Sequence, residues 1–186
     1  MRAFVGVPVI ENDLAGFTQA RAHIIRACPD WTSEKWVPPE NLHLTLKFLG
    51  DIDLRMLDRL IDELSQPITQ KGFQLPLKSL EAHPSSGRAG MIWAAFMDPH
   101  GRAAALHHHV DEIAAHRGIV SERRAFRPHV TLVRARRPRR VSREVLISAA
   151  GCVQSMSVLG VTVYTSTLTS RGAQYQEMAH VPLRID

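Results

Sequence analysis

Two short segments of the chain present the same pair of polar side chains, a histidine and a threonine two positions apart. His43 and Thr45 lie in NLHLTLKFLG, and His129 and Thr131 lie in FRPHVTLVRA. Because the pKa of histidine is about 6.5, one imidazole can accept a proton while another donates one near neutral pH. Two histidines that face one reaction centre could therefore act as general base and general acid, with the threonine hydroxyls as hydrogen-bond donors.

An in-line displacement at phosphorus is the reaction that these groups suit. The attacking oxygen must lose a proton on one side, the leaving oxygen must gain one on the other, and the equatorial oxygens need donors. A guanidinium offers a planar fork for phosphate, and Arg134 lies three positions after Thr131. Strict strand alternation turns Arg134 away from His129, so its entry into the site requires a bulge or the end of the strand.

Each motif has the alternation of a half-buried strand. In the first, three leucines take one face, and His43, Thr45 and Lys47 take the other. In the second, Val130 and Leu132 take the apolar face. We therefore expect two strands, each with one face in the core and its histidine and threonine on the opposite face.

The order of elements around the two motifs repeats. A strand at residues 3–9 and a helix that ends near Pro29 precede the first motif. A strand at residues 90–97 and a helix at 102–116 precede the second. This pattern is typical of an internal duplication, in which each copy supplies one motif.

The repeat predicts the organisation of the chain. We expect a single bilobal domain over residues 1–186, with approximate repeat halves at 1–88 and 89–186. Two lobes related by an approximate two-fold axis would bring the polar faces of the motif strands opposite each other across a cleft. An amphipathic helix at 54–64 and closing strands near the C-terminus complete the expected elements.

Composition limits the class of protein and of partner. The 186 residues are 45% hydrophobic, which is enough for a packed core, and the formal net charge of +5 favours an anionic partner such as nucleic acid or a phosphorylated small molecule. The two cysteines lie far apart and outside any zinc-ligand spacing. No apolar run approaches the ~20 residues of a membrane span. We expect a cytoplasmic monomer without a membrane segment, a metal site or a disulfide framework.

The two motifs, together with RAFVGV at the start and VTVYTSTLTSRGAQYQ near the end, resemble the two-histidine phosphoesterase superfamily. Within it, the chain is similar to the RNA 2′,3′-cyclic phosphodiesterases, also described as 2′-5′ RNA ligase-like proteins. The resemblance covers nearly the whole chain. It implies a bilobal, pseudo-two-fold α+β fold, in which antiparallel sheets line a central cleft and helices pack outside. It implies no metal and no cofactor.

The resemblance also implies the reaction. His43 and His129 would act as an acid and base pair that hydrolyses a nucleoside 2′,3′-cyclic phosphate at an RNA end to a 2′-phosphomonoester. The expected partners are RNA ends or nucleoside 2′,3′-cyclic phosphates. The analogy favours His129 as the base that activates water and His43 as the acid that protonates the departing 3′ oxygen. The symmetry of the motifs leaves this assignment open.

The resemblance further implies substrate-binding residues. Thr45, Thr131 and Arg134 match the family's phosphate contacts, and Phe48 matches a position near the substrate. The segment at residues 83–93 departs from the apolar, proline-rich approach of relatives, and we expect it to reshape the rim of the cleft. Two alternatives stay open: a phosphodiesterase acting on a small cyclic nucleotide or a 2′-5′ linkage, and a non-catalytic RNA-binding module. The module would explain the positive charge but gives no reason for two matched motifs.

Three further features have simpler interpretations. The basic residues between 134 and 143 could bind an RNA backbone or form a solvated loop. The three consecutive histidines at 107–109 lie about 100° apart on a helix and cannot chelate one metal together, so an exposed or partly packed helix face is expected. Trp31, Trp36 and Trp93 could stack on bases, but packing in the core is the expected use of each.

Overall fold

The computed structural model describes residues 1–66, 68–169 and 172–184, which form nine strands and four α-helices. The strands are β1 (Arg2–Pro8), β2 (Lys35–Trp36), β3 (His43–Asp51), β4 (Phe73–His83), β5 (Ala89–Phe96), β6 (His129–Arg139), β7 (Ser155–Val158), β8 (Gly160–Thr169) and β9 (Gly172–Pro182). The helices are α1 (Glu11–Ala27), α2 (Leu54–Leu64), α3 (Arg102–His116) and α4 (Arg143–Ala150).

Two of the helices begin at a side chain that caps them. The carboxylate of Asp53 accepts a hydrogen bond from the backbone N–H of Met56 at 2.7 Å at the start of α2. The hydroxyl of Ser142 accepts one from Val145 at 3.3 Å at the start of α4. The bounds of α2 and α3 confirm the sequence prediction, whereas α4 was not predicted. None of the helices in the described ranges is long and apolar enough to cross a membrane.

The strands form one curled antiparallel sheet in the order β7-β4-β5-β6-β3-β1-β8-β9, with β2 added on β6. The motif strands β3 and β6 are neighbours at its centre, where Leu44 pairs with Val130. Outward from this pair, β5, β4 and β7 follow on one side, and β1, β8 and β9 follow on the other. The predicted α+β class, with antiparallel strands lining a cleft, is confirmed.

On each side of the central strand pair, the sheet takes strands from both halves of the sequence. β4 follows α2 in the first half but pairs with β5, whereas β8 and β9 come from the second half and extend the sheet from β1. Neither half of the sequence therefore forms its side of the sheet without strands from the other half. The approximate repeat of residues 1–88 and 89–186 stays a prediction about the sequence.

A single hydrophobic cluster joins the sheet to the helices. Leu44 and Val130, at the centre of the sheet, are 1% and 0% exposed, and they belong to the same cluster as Leu106 of α3 and Leu146 of α4. Residues of α1 and α2 also belong to it. Because successive residues of a strand point to opposite faces, the motif histidines lie on the face away from the helices.

The basic run after the second motif is largely a strand. β6 continues to Arg139, so the solvated-loop interpretation is wrong for this part. Glu34, which is buried, accepts hydrogen bonds at 2.7 Å from the backbone N–H of Arg136 and from Nε of Arg139. These hydrogen bonds lower the pKa of Glu34, with the one from the Arg136 backbone as the largest cause. Part of the basic run therefore holds the fold together.

Two groups outside the motifs serve packing, as expected from the sequence. Trp31 is fully buried, and its indole N–H donates to the carbonyl oxygen of Arg140 at 3.0 Å. His107 stacks on Phe126 with 4.4 Å between ring centroids, while the two histidines after it are exposed. Packing within the chain therefore accounts for Trp31 and His107.

Candidate active site

The two motif histidines are held in the same way. Nδ1 of His43 lies 2.7 Å from the carbonyl oxygen of Asn41, and Nδ1 of His129 lies 2.7 Å from that of Arg127. A carbonyl oxygen only accepts hydrogen bonds, so each Nδ1 carries a proton. In its neutral form each ring then has an unprotonated Nε2, which is available as a proton acceptor.

The central strand pair brings the two motifs side by side. The antiparallel pairing of β3 and β6 is centred on the residue after each histidine. That register puts His43 opposite Thr131 and His129 opposite Thr45. The arrangement is symmetric, because the histidine of each strand faces the threonine of the other. All four side chains are half-buried. The structure therefore brings these four predicted site residues together on one face of the sheet.

A bulge in β6 reverses the alternation after Thr131. Leu132 and Val133 are both buried, and the pairing of β6 with β5 shifts register at this point. Arg134 therefore returns to the face of His129, through the bulge that its entry into the site required. The guanidinium of Arg134 donates to Sδ of Met91 at 3.2 Å.

The first motif strand breaks its alternation at the same position, where β3 shifts register against β1. Lys47, expected beside the motif pair, is instead buried, with Nζ 2.5 Å from Oδ1 of Asp111 and 2.6 Å from the carbonyl oxygen of Val120. Phe48 comes to the cleft face in its place, with 69% of its surface exposed. Its ring centroid lies 6.2 Å from that of Phe4.

Phe48 and Arg134 occupy equivalent positions, each five residues after its histidine. One motif strand thus adds an exposed aromatic ring to the cleft, and the other adds a guanidinium. The histidine pair is symmetric, but the surroundings of the two rings differ between the two sides of the cleft. This difference gives the cleft an apolar side and a cationic side.

Aromatic rings surround His43. The ring centroids of Phe4, Tyr175 and Tyr164 lie 4.7, 5.3 and 6.2 Å from that of His43. Burial raises the pKa of both tyrosines, so their hydroxyls stay protonated near neutral pH. Gly6 makes room for the imidazole, because a Cβ there would lie 2.9 Å from a β3 carbonyl oxygen and 3.3 Å from Cδ2 of His43.

A different cluster supports His129. The ring of Trp93 lies 4.2 Å from that of His129 and 3.6 Å from that of His83. The carboxylate of Glu81 accepts hydrogen bonds from the Trp93 indole at 3.1 Å and from Arg127 at 3.2 Å. Because Arg127 also supplies the carbonyl that holds His129, this cluster fixes the ring from two sides. Trp93 is therefore part of the site wall, not the core residue expected from the sequence.

The pKa values of both motif histidines are lowered, mainly by burial. For His43, the charges of His129 and Arg134 lower the pKa further. For His129, the charges of Arg127, His83 and Arg134 act in the same direction. At neutral pH both rings are therefore neutral in the free protein, and an anion bound between them would raise both pKa values.

The structure places the six residues that the resemblance implied around one cleft, and their roles stay predictions. Sequence reasoning missed Gly6, Trp93, Tyr164 and Tyr175. A glycine inside a strand often marks a close approach of another group, so Gly6 carried a usable signal. Within the part of the chain that the structure describes, no three histidine, cysteine, aspartate or glutamate side chains are grouped so that they could hold a metal ion.

Relatives of this chain carry one enzyme name. The family model described as LigT like Phosphoesterase matches residues 14–93. A protein of Aquifex aeolicus named RNA 2′,3′-cyclic phosphodiesterase is 32% identical over 146 residues, which are 76% of this chain and 77% of the relative. A protein of Escherichia coli with the same name is 30% identical over 139 residues, which are 75% of this chain and 74% of the relative.

Solved structures share the fold. A Thermus thermophilus protein matches with a TM-score of 0.78 and 22% identity, over 99% of this chain and 98% of that protein. Escherichia coli LigT complexed with 3′-AMP matches with a TM-score of 0.72 and 23% identity, over 98% of this chain and 97% of LigT. The fold and the sequence relatives together define a hydrolase of phosphodiester bonds. The chain belongs to the LigT-like phosphoesterase family.

Proposed function

We propose that this protein hydrolyses 2′,3′-cyclic phosphate at RNA ends to a 2′-phosphomonoester, with His43 and His129 as its acid and base. The observation that carries the proposal is the mirrored pair of imidazoles, each held through Nδ1 by a carbonyl oxygen two residues earlier. The name of the relatives that cover about three quarters of the chain supports the substrate class.

The proposed reaction uses Nε2 of both rings. One neutral Nε2 takes a proton from water while the water oxygen forms a bond to phosphorus. The bond from phosphorus to the 3′ oxygen breaks, and the protonated Nε2 of the other ring donates its proton to that oxygen. The products are a 2′-phosphomonoester and a 3′-hydroxyl. The family analogy makes His129 the base and His43 the acid, and proton exchange with solvent then restores both rings.

The charge of the substrate would set the protonation states. Burial and nearby cations keep both rings neutral in the free protein, but a bound phosphodiester anion raises their pKa values and lets one ring hold a proton. The guanidinium of Arg134 and the hydroxyls of Thr45 and Thr131 would donate to the non-bridging oxygens. Such preorganised donors stabilise the charge that develops in the transition state.

The test is turnover of an RNA oligonucleotide that ends in a 2′,3′-cyclic phosphate, with the product identified as a 2′- or 3′-phosphomonoester. His43→Ala and His129→Ala should each lower kcat by about 10² to 10⁴, the usual contribution of a general acid or base. The double variant should lose less than the product of the two losses, because both rings act in one step. His108→Ala, an exposed histidine on α3, is the control. Near wild-type turnover in either single variant contradicts the mechanism.

The same assay separates the alternatives. A free nucleoside cyclic phosphate and a 2′-5′-linked dinucleotide are run beside the RNA, and the substrate with the highest kcat/KM defines the substrate class. RNA binding without any turnover would favour a non-catalytic module. We expect activity to survive EDTA, because the two imidazoles supply both proton transfers. Loss of activity with EDTA that one added metal restores would contradict this mechanism.

A further inference from the structure

The two carbonyl oxygens that orient the motif histidines belong to different kinds of backbone. Asn41 ends the short helical turn Pro39–Asn41, and its side chain donates to the carbonyl oxygen of Ala173 at 3.2 Å. Arg127 lies in a segment before β6 that is neither helix nor strand. The position of the His129 ring therefore depends on the contacts that hold Arg127 in place.

Glu81 of β4 holds the side chain of Arg127. Its Oε2 accepts a hydrogen bond from the guanidinium at 3.2 Å. The same oxygen accepts one from the Trp93 indole at 3.1 Å and lies 3.3 Å from Nε2 of His83. Oε1 accepts a hydrogen bond from the hydroxyl of Ser79 at 3.0 Å. Both oxygens of this carboxylate are therefore engaged by groups of the protein itself.

Glu81 is ionised at neutral pH. Burial tends to raise its pKa, but hydrogen bonds from Trp93 and Ser79 and the charge of Arg127 outweigh this effect, so that the pKa is lowered. A carboxylate anion repels a phosphate, because like charges that are brought together cost free energy. The role of Glu81 is therefore not to bind the phosphate of a substrate.

Two sets of contacts lead from Glu81 to the His129 ring. In the first, the side chain of Arg127 donates to Glu81, and its backbone supplies the carbonyl oxygen 2.7 Å from Nδ1 of His129. In the second, the Trp93 indole bonded to Glu81 has its ring centroid 4.2 Å from that of His129. The carbonyl oxygen selects the tautomer with a proton on Nδ1, and the indole restricts rotation of the imidazole.

We propose that Glu81 is a positioning residue for His129. By holding Arg127 and Trp93, it keeps the proton of the neutral His129 ring on Nδ1 and leaves Nε2 free to accept one. Its effect is specific to His129, because the His43 ring is held by Asn41 and by aromatic residues on the other side of the cleft. The inference rests on the proposed function and deepens it, since it adds a carboxylate outside the two motifs to the groups on which the reaction depends.

The first measurement is kcat and KM of Glu81→Gln with a nucleoside 2′,3′-cyclic phosphate. Glutamine keeps the size of the side chain but removes the charge that holds the guanidinium. We expect kcat to fall about tenfold to a hundredfold, because a misplacement of about 1 Å can cost about 10² in rate. KM should stay close to that of the wild type, because Glu81 does not bind the phosphate. The Arg127 side chain is 60% exposed, so the ion pair adds little to stability and Glu81→Gln should fold like the wild type.

Glu63→Gln is the matched control. Glu63 also accepts a hydrogen bond from an arginine, Arg117 at 2.8 Å, and lies 3.7 Å from Nδ1 of His116. It belongs to α2, on the face of the sheet away from the motif histidines. Loss of a similar ion pair there should leave kcat unchanged.

The second measurement is the tautomer of each motif histidine, which a general loosening of the fold would not change at His129 alone. Nitrogen NMR of the isotope-labelled protein above pH 6.5 shows which ring nitrogen carries the proton, and the spectrum of His129→Ala assigns the His129 signals. In the wild type we expect the proton on Nδ1 of both rings. In Glu81→Gln, His129 should lose this form in favour of the Nε2 form, whereas His43 should keep it.

Two results would overturn the inference. One is a kcat of Glu81→Gln equal to that of Glu63→Gln. The other is a tautomer of His129 that is unchanged in Glu81→Gln, or that changes together with that of His43. Failure of the proposed function is a separate result, namely no turnover of the cyclic phosphate by the wild type. The NMR spectra then decide alone, because an unchanged His129 overturns the positioning role and a change confined to His129 supports it.

Discussion

Replacement of Arg134 separates two properties of one side chain, its charge and its planar geometry. The bulge after Thr131 puts Arg134 on the cleft face, where its charge contributes to the lowered pKa of His43 and of His129. Arg134→Lys keeps this charge but offers an ammonium in place of a fork that can hold two phosphate oxygens. Arg134→Gln removes the charge as well.

The two replacements should differ in how far they lower kcat/KM. A hydrogen bond between charged groups contributes about 1.5–3 kcal/mol, so loss of one of two such bonds in Arg134→Lys should lower kcat/KM about tenfold to a hundredfold. Arg134→Gln loses both bonds and the charge. The expected loss is about 10³-fold, the upper end of what removal of one electrostatic donor costs.

The assay uses a nucleoside 2′,3′-cyclic phosphate, because contacts with other phosphates then do not contribute. Arg137→Lys is the matched control, since Arg137 is exposed on the same strand. Arg139→Lys suits this purpose less well, because Nε of Arg139 donates to the buried carboxylate of Glu34 at 2.7 Å. Arg139→Lys would therefore also disturb the packing around Glu34.

The pH profile of kcat/KM is the second measurement. Because the pKa of both histidines is lowered from 6.5, the protonated form that the acid needs is lost as the pH rises through the lowered value. The maximum should therefore lie on the acid side of 6.5, the ordinary pKa of the imidazole. Arg134→Gln should move the maximum to higher pH, and Arg134→Lys should leave it in place.

Equal, small losses in Arg134→Lys and Arg137→Lys would refute this reasoning. Arg134 would then belong to the solvated basic flank despite the bulge. A maximum that does not move in Arg134→Gln would show that the charge of Arg134 has no effect on the histidines.

Three further predictions concern the fold around the site. Gly6→Ala should lower the free energy of unfolding by about 1–3 kcal/mol in urea, because its Cβ would lie 2.9 Å from a β3 carbonyl oxygen. Gly90→Ala, whose Cβ would meet no atom closer than 3.8 Å, should have little effect, and equal losses in the two would contradict the close approach. Lys47→Met leaves Asp111 buried without its partner and should cost about 3–5 kcal/mol by the same method, whereas a loss below about 1 kcal/mol would argue against a buried pair. The lowered pKa of His43 means that the unfolded chain binds a proton first, so its contribution to stability is complete above pH 6.5 and is lost as the pH falls through the lowered pKa. As the pH falls from about 7.5 to about 5, the free energy of unfolding of His43→Gln should therefore decrease less than that of the wild type. An unchanged pH dependence would contradict this.

The sequence by itself determined the two motif strands and the residues that they display. Strand alternation is a local property of the backbone, so His43 and Thr45 had to share one face, as did His129 and Thr131. Helical periodicity is also local, and the bounds of α2 and α3 followed from it. The repeated order of elements also indicated that the two motifs would meet in one cleft.

The course of each strand after its motif depended on the tertiary structure. A bulge forms where a strand changes register against its partners, and the sequence of one strand does not contain that register. Lys47 therefore left the cleft face and Phe48 entered it, while Arg134 returned to it.

The walls of the site depended on the tertiary structure in a further way. Tyr164 and Tyr175 reach His43 because β8 and β9, from the second half of the sequence, extend the sheet from β1. Glu81 reaches Trp93, beside His129, because β4, from the first half, pairs with β5. Such contacts join residues far apart along the chain. Periodicity and residue spacing describe only neighbours in sequence, so the order of strands in the sheet fixed the surroundings of each histidine.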